Sequence, residues 1–292
     1  MCDHDSFDDM VEYQLRSKGL SRRQFSALTL GAGALSVFPP LAGAAEVVES
    51  EVEIETPDGT ADACFAHPAQ GAHPAVLVWP DIFGLRPAFR QMGRRLAESG
   101  YAVLTVNPFY RTQKAPTAPE NPDFNDPATR TSLMTLRATL SAATGATDAR
   151  AFVTWLDAQP AVDKRRRMGT TGYCMGGPLT MYTAAERSDR IGAGASFHGG
   201  GLATDKPDSP HLLVPDMKAQ FLIAIAENDD QRDPEGKDTL RKAFAAAGLP
   251  AEIEVYAGTK HGWCPPDAAV YDHDQAEKAW ARLLALFERA LA

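Results

Sequence analysis

Residues 168–177 read M-G-T-T-G-Y-C-M-G-G. A short run of small and β-branched residues leads into Gly172-Tyr173-Cys174-Met175-Gly176, the G-x-S-x-G nucleophile-elbow pattern with cysteine in the serine position. The elbow turns from strand to helix too sharply for side chains on its flanks, which suits glycine on both sides. Its tip holds the nucleophile in a strained conformation. The next backbone N–H, that of Met175, lies at a helix N-terminus and can stabilise an oxyanion. The same ten residues can also be read as a buried structural cysteine in a glycine-rich turn. Their setting favours the elbow: a strand precedes, a helix over 178–187 follows, and an aspartate and then a histidine lie downstream.

Residues 74–80 (P-A-V-L-V-W-P) and 101–106 (Y-A-V-L-T-V) are continuous apolar runs, the pattern of strands buried on both faces. A helix over 87–99 joins them into a βαβ unit, which implies a parallel sheet with a right-handed crossover. Further strands are expected over 191–197, 220–226 and 252–256, and helices over 129–140, 146–158, 234–247 and 274–291. Residues 46–56 alternate apolar and acidic side chains, the period of a half-exposed strand. The turn Pro57-Asp58-Gly59 returns the chain over 61–66 as an antiparallel hairpin at a sheet edge. A proline-rich loop over 107–128 carries Phe109, Tyr110 and Arg111, and loops of that length are often functional. Strands and helices alternate to the end without an internal repeat. Residues 45–292 are therefore expected to form one α/β domain, a mostly parallel sheet with helices on both faces.

With 44% hydrophobic and 23% charged residues among 292, the chain has ordinary globular composition. Its net charge of −9 argues against nucleic-acid binding, which needs a basic face. Residues 1–44 stand apart. Ser21-Arg22-Arg23-Gln24-Phe25 is followed by an apolar run over 27–41 and by Ala42-Gly43-Ala44, a small-x-small cleavage site. This resembles a twin-arginine export signal, which predicts the twin-arginine export machinery as a partner and a periplasmic or secreted product. The apolar run is too short and too rich in Gly and Pro for a transmembrane helix, so no stable membrane insertion is expected. Of four cysteines, Cys2 would leave with the signal. Cys64, Cys174 and Cys264 make an odd set rather than a disulfide framework, although a Cys64–Cys264 bridge stays open.

A thiol attacks well only as the thiolate, so Cys174 needs a base, and the base needs an orienting carboxylate. The strand over 221–226 runs into Glu227-Asn228-Asp229-Asp230, and the strand over 252–256 runs into Ala257-Gly258-Thr259-Lys260-His261-Gly262-Trp263. Both endings lie at the carboxyl edge of a parallel sheet, on the elbow's side. The order nucleophile, acid, histidine is that of α/β-hydrolases. Asp229 is favoured over Asp230, and the other aspartate reads as a solvated loop residue or helix cap. His198-Gly199-Gly200-Gly201 resembles the H-G-G-G oxyanion loop of lipases, but it follows the elbow instead of preceding it and reads as a strand-end loop.

In combination, Cys174 in G-x-C-M-G-G, the H-G-W at His261 and the D-I-F-G turn at 81–84 resemble the dienelactone hydrolase family of α/β-hydrolases. The resemblance runs from about Val47 to the C-terminus. It implies hydrolysis of a small ester or lactone through a thioacyl-enzyme, without metal or organic cofactor. Cys174 would be the nucleophile, His261 the base and then acid, and Asp229 the orienter, with the N–H groups of Met175 and Ile82 as oxyanion hole. The family type member has a glutamate after its first buried strand that helps to switch the thiol on; Asp81, one methylene shorter, stands there. Family substrates carry a carboxylate held by arginines, for which Arg86, Arg90 and Arg111 are candidates. Cys2-Asp3-His4-Asp5 and Asp272-His273-Asp274 lack the spacing of a zinc site. A monomer is expected. The alternatives are a general carboxylesterase or thioesterase of the same fold, or a non-hydrolytic binding protein or thiol redox sensor in which Cys264 resolves an oxidised Cys174.

Overall fold

The computed structural model describes residues 45–292 apart from 120, 121, 123 and 125, so the expected export signal lies outside the described residues. Strands β1 (Val47–Thr56) and β2 (Gly59–Pro68) form the expected hairpin. They are followed by β3 (Ala75–Trp79), β4 (Ala102–Val106), β5 (Met168–Tyr173), β6 (Ile191–Phe197), β7 (Gln220–Ala226) and β8 (Ala251–Tyr256). All eight join one sheet in the order β1-β2-β4-β3-β5-β6-β7-β8. β1–β2 and β2–β4 are antiparallel, and every later pairing is parallel. This is the α/β-hydrolase fold.

The helices are α1 (Pro87–Glu98), α2 (Pro127–Arg137), α3 (Ala142–Ala158), α4 (Gly176–Glu186), α5 (Glu227–Arg232), α6 (Gly236–Ala246) and α7 (His273–Ala290). Alternate strand residues explain the two covered faces, because successive side chains point to opposite sides of a sheet. Val76, Val78, Leu222 and Ala224 pack under Phe89 and Met92 of α1 and Leu283 and Phe287 of α7. Leu77, Trp79, Phe221 and Ile223 pack against Phe152 of α3, Leu179 of α4 and Phe244 of α6. Strands sandwiched this way must be apolar on both faces, which is why β3 and β4 read as unbroken hydrophobic runs.

Three features between the strands depart most from the sequence expectation. α3 begins at Ala142 rather than 146, because Ser141 and Thr144 form a reciprocal capping box. Residues 227–230 are not a plain loop: they open the short helix α5 directly after β7. A 3-10 helix, Pro210–Asp216, also interrupts the connection from β6 to β7.

Candidate active site

Cys174 sits between β5 and α4 with φ of 54°, in the left-handed region that a non-glycine residue enters at a cost of about 1–3 kcal/mol. The flanking glycines are required by close approach. A Cβ on Gly172 would stand 2.1 Å from the carbonyl oxygen of Gly176, and one on Gly176 would stand 2.4 Å from that of Trp79. The Cys174 N–H is held by the carbonyl of Phe197 at 3.0 Å. Met175 follows as the N-cap of α4. Cys174 and Met175 pack with Ile82, Phe109, Phe124, Leu133 and Leu136, so the proline-rich loop and α2 cover the elbow with apolar side chains. Ile82, which follows β3, belongs to the same apolar cluster as Cys174 and Met175.

The carboxyl ends of β7 and β8 lie at the same sheet edge as the elbow, with β6 between β7 and β5. Asp229 Oδ2 lies 2.8 Å from His261 Nδ1, and His261 is 1% exposed. The opening of α5 holds the histidine loop at three further points. Asn228 Oδ1 accepts the His261 N–H at 2.8 Å, Glu227 Oε2 accepts the Gly258 N–H at 2.9 Å, and the Glu227 N–H reaches Thr259 Oγ1 at 3.4 Å. Asp230 turns away and pairs with Lys237 at 2.6 Å. Of the two adjacent aspartates, only Asp229 is brought to the imidazole. With Nδ1 engaged by a carboxylate, Nε2 is the nitrogen suited to exchange a proton with a thiol.

Asp81 and the three candidate arginines are placed otherwise than expected. Both oxygens of Asp81 are taken by Arg86, at 2.6 and 2.9 Å, and Oδ1 also accepts the Phe83 N–H. Burial pushes the Asp81 carboxyl up while Arg86 works against it. Its carboxylate is therefore engaged in an ion pair with Arg86. Arg86 in turn grips Asp267 through Nε and Nη2, so its donors serve protein carboxylates. Arg90 is paired with Glu51 on β1, and Arg111 with Asp58 and Asp148 beside the β1–β2 turn. A guanidinium held bidentately by carboxylates of its own chain is poorly placed to receive one from a substrate.

An arginine that sequence reasoning missed is better placed. Arg137, in the last turn of α2, borders a hollow beside Met175 together with Leu140, Leu179, Tyr182 and Lys206. Its Nε is buried and has no hydrogen-bond partner among the described residues. No local motif could have marked it, because its relevance comes from α2 lying over the elbow. Asn228 was also missed; its place directly before Asp229 was the available signal. The Cys64–Cys264 bridge does not form. Cys64, Cys174 and Cys264 are all free thiols, with Cys64 on β2 and Cys264 in the core under α1 and α7.

Comparison with known proteins agrees with this architecture. The model of the dienelactone hydrolase family matches residues 61–291. The chain is 29% identical over 295 residues to a Methylorubrum extorquens protein named "Putative carboxymethylenebutenolidase", covering 95% of this chain and 96% of that one. It is 27% identical over 230 residues to the carboxymethylenebutenolidase of Rhodococcus opacus, covering 76% and 83%. Among solved structures, the "Putative Dienelactone Hydrolase" of Klebsiella pneumoniae superposes with a TM-score of 0.72 at 26% identity, covering 83% of this chain and 99% of that one. With strands β3 to β8, the elbow and the His261 loop all inside the matched span, the chain belongs to the dienelactone hydrolase family and is a hydrolase of that family.

Proposed function

We propose that this hydrolase cleaves a small carboxylic ester or lactone through Cys174, His261 and Asp229. The observation that carries the reading is the 2.8 Å contact between Asp229 and His261, at the same sheet edge as the left-handed Cys174 elbow. His261 Nε2 takes the thiol proton, and Sγ bonds to the substrate carbonyl carbon. The N–H groups of Met175 and Ile82 receive the resulting oxyanion. The C–O bond breaks as His261 returns the proton to the leaving oxygen. Water then gives a proton to His261 and attacks the thioester, and the Sγ–C bond breaks to release the acid as His261 returns that proton to Sγ. Arg137, rather than Arg86, Arg90 or Arg111, is assigned to a substrate carboxylate, because its Nε is buried beside the elbow without a partner among the described residues.

A redox-sensor reading finds less support. Cys264 is buried in the cluster under α1 and α7, whereas Cys174 belongs to the one under the proline-rich loop. Burial pushes the Cys264 thiol well above its ordinary range, the opposite of what a resolving thiolate needs.

The test is hydrolysis of a dienelactone and a short aryl ester by the wild type and by Cys174→Ala, with mass spectrometry of the quenched enzyme. Turnover by the wild type alone, with an acyl adduct on the peptide carrying Cys174, is expected. Equal turnover by the variant would remove the assignment. Export by the twin-arginine route is part of the same proposal and rests on Arg22-Arg23 and Ala42-Gly43-Ala44. Cell fractionation should find the wild type outside the cytoplasm and the Arg22→Lys, Arg23→Lys precursor inside it.

A further inference from the structure

His198 directly follows β6 with φ of 41°, the second non-glycine residue in the left-handed region among the described residues, alongside Cys174. Its side chain is 1% exposed, and neither ring nitrogen has a hydrogen-bond partner among the described residues. The ring stands edge to face against His261, with centroids 5.0 Å apart and an interplanar angle of 68°. Trp263 lies 5.2 Å away on one side and Tyr173 6.1 Å away on another. An unpaired buried polar ring on a strained backbone is costly twice over, and a hydrocarbon ring would avoid half of that cost.

The backbone around His198 ties it to the other parts of the site. The carbonyl of Phe197 accepts the Cys174 N–H at 3.0 Å, and the His198 N–H donates to Ala224 of β7 at 2.8 Å, the strand that delivers Asp229. Gly199 and Gly177 approach so closely that a Cβ on Gly177 would stand 2.7 Å from Gly199 Cα. The His198 ring is thereby fixed relative to the elbow, to the acid strand and to the base.

We propose that His198 is a positioning residue of the hydrolysis: a neutral imidazole set against the ring of His261 to accommodate the positive charge that ring acquires on taking the thiol proton. The inference rests on the hydrolase reading above. A neutral imidazole carries a dipole that a hydrocarbon ring lacks, and that dipole, held against an imidazolium in a buried site, stabilises it where water would otherwise do so. The arrangement works only if His198 never competes for the proton. Burial, and secondarily the neighbouring His261, hold its pKa well below the ordinary histidine value. The titratable and charged groups that face the pair are Tyr173 from β5 and Asp229 from α5, itself paired with Arg232 at 3.4 Å, with Cys174 at the adjacent strand end.

The test is His198→Phe in the full chain, measured by aryl-ester hydrolysis, by pH-dependent iodoacetamide labelling of Cys174 mapped by mass spectrometry, and by thermal unfolding. Phe keeps a ring and removes both unpaired nitrogens. The expected result is unfolding at the wild-type temperature or higher, with kcat about tenfold lower and KM within about twofold. The acid limbs of turnover and labelling should both fall about half a pH unit, because His261 becomes harder to protonate. Wild-type kcat with unmoved limbs would overturn the proposal. So would a loss of stability matching the loss of rate, which is the mark of a packing role. A second measurement needs no variant. In the wild type, the histidine ring resonances assigned to His198 should shift as His261 titrates without titrating themselves, and an independent His198 titration within the assay range would also overturn it. Failure of the wild type to hydrolyse any ester would sink the hydrolase reading instead, while labelling and resonance shifts still decide the coupling of the two rings.

Discussion

Asn228 accepts the backbone N–H of His261 through Oδ1 at 2.8 Å, one residue before Asp229 takes the ring of the same histidine. A single helical turn thus holds both the backbone and the imidazole of the proposed base. Asn228→Ala should leave that N–H unpaired, at a cost of about 1–3 kcal/mol. We expect kcat to fall about tenfold with KM nearly constant, since the loss falls on orientation and not on binding. Steady-state kinetics on an aryl ester check this, and an unchanged kcat would count against the clasp.

The two adjacent aspartates should separate cleanly. Asp229→Asn alters the group on His261 Nδ1 and should lower kcat by about 10³–10⁴, the scale seen when a triad carboxylate is neutralised. Asp230→Asn removes only a partly exposed pair with Lys237, worth about 0–1 kcal/mol, and should leave kcat within about threefold. Comparable losses in both variants would remove Asp229 from its role.

Arg137→Met should discriminate between substrates. For a lactone bearing a carboxylate, KM should rise about 10–100-fold, in keeping with loss of a charge-assisted hydrogen bond. For a neutral aryl ester, KM should hardly change. Equal effects on both substrates would show that the arginine shapes the hollow without reading the carboxylate.

Thiol labelling should be selective. Burial pushes the Cys64 thiol up to about 11, with Glu49 adding to the shift and Arg90 opposing it. A raised thiol pKa means a protonated, unreactive sulfur below that pH, so at pH 8 only about 0.1% of Cys64 would be thiolate. Cys264 is shifted in the same direction by burial alone. Mapping iodoacetamide adducts on the native chain at pH 8 should find Cys174 first, with Cys64 labelling accelerating about tenfold per pH unit toward pH 11. Early labelling of Cys64 would contradict this ordering.

Much of the fold was legible because burial leaves a periodic trace. The unbroken apolar runs of β3 and β4 follow from helices on both faces, and the alternation in β1 follows from one open face. Boundaries set by capping were harder. The start of α3 depends on a reciprocal pair at Ser141 and Thr144 rather than on hydrophobic period. The six polar residues of α5 carry no apolar signal that marks a helix, yet they supply the clasp on His261.

What the amino-acid sequence determined by itself was the sheet, the elbow at Cys174 and the order in which an acidic strand end and a histidine strand end follow it. Those features are local: each is written in a run of neighbouring residues whose period or turn chemistry dictates one conformation. Only the tertiary structure decided that Asp229 rather than Asp230 meets His261, that Asp81, Arg86, Arg90 and Arg111 are taken up by ion pairs, and that His198 stands against the ring of His261. A side chain's partner is set by which distant elements the fold brings within a few ångströms, and residues with the same local chemistry acquire different roles once burial and charge around them differ.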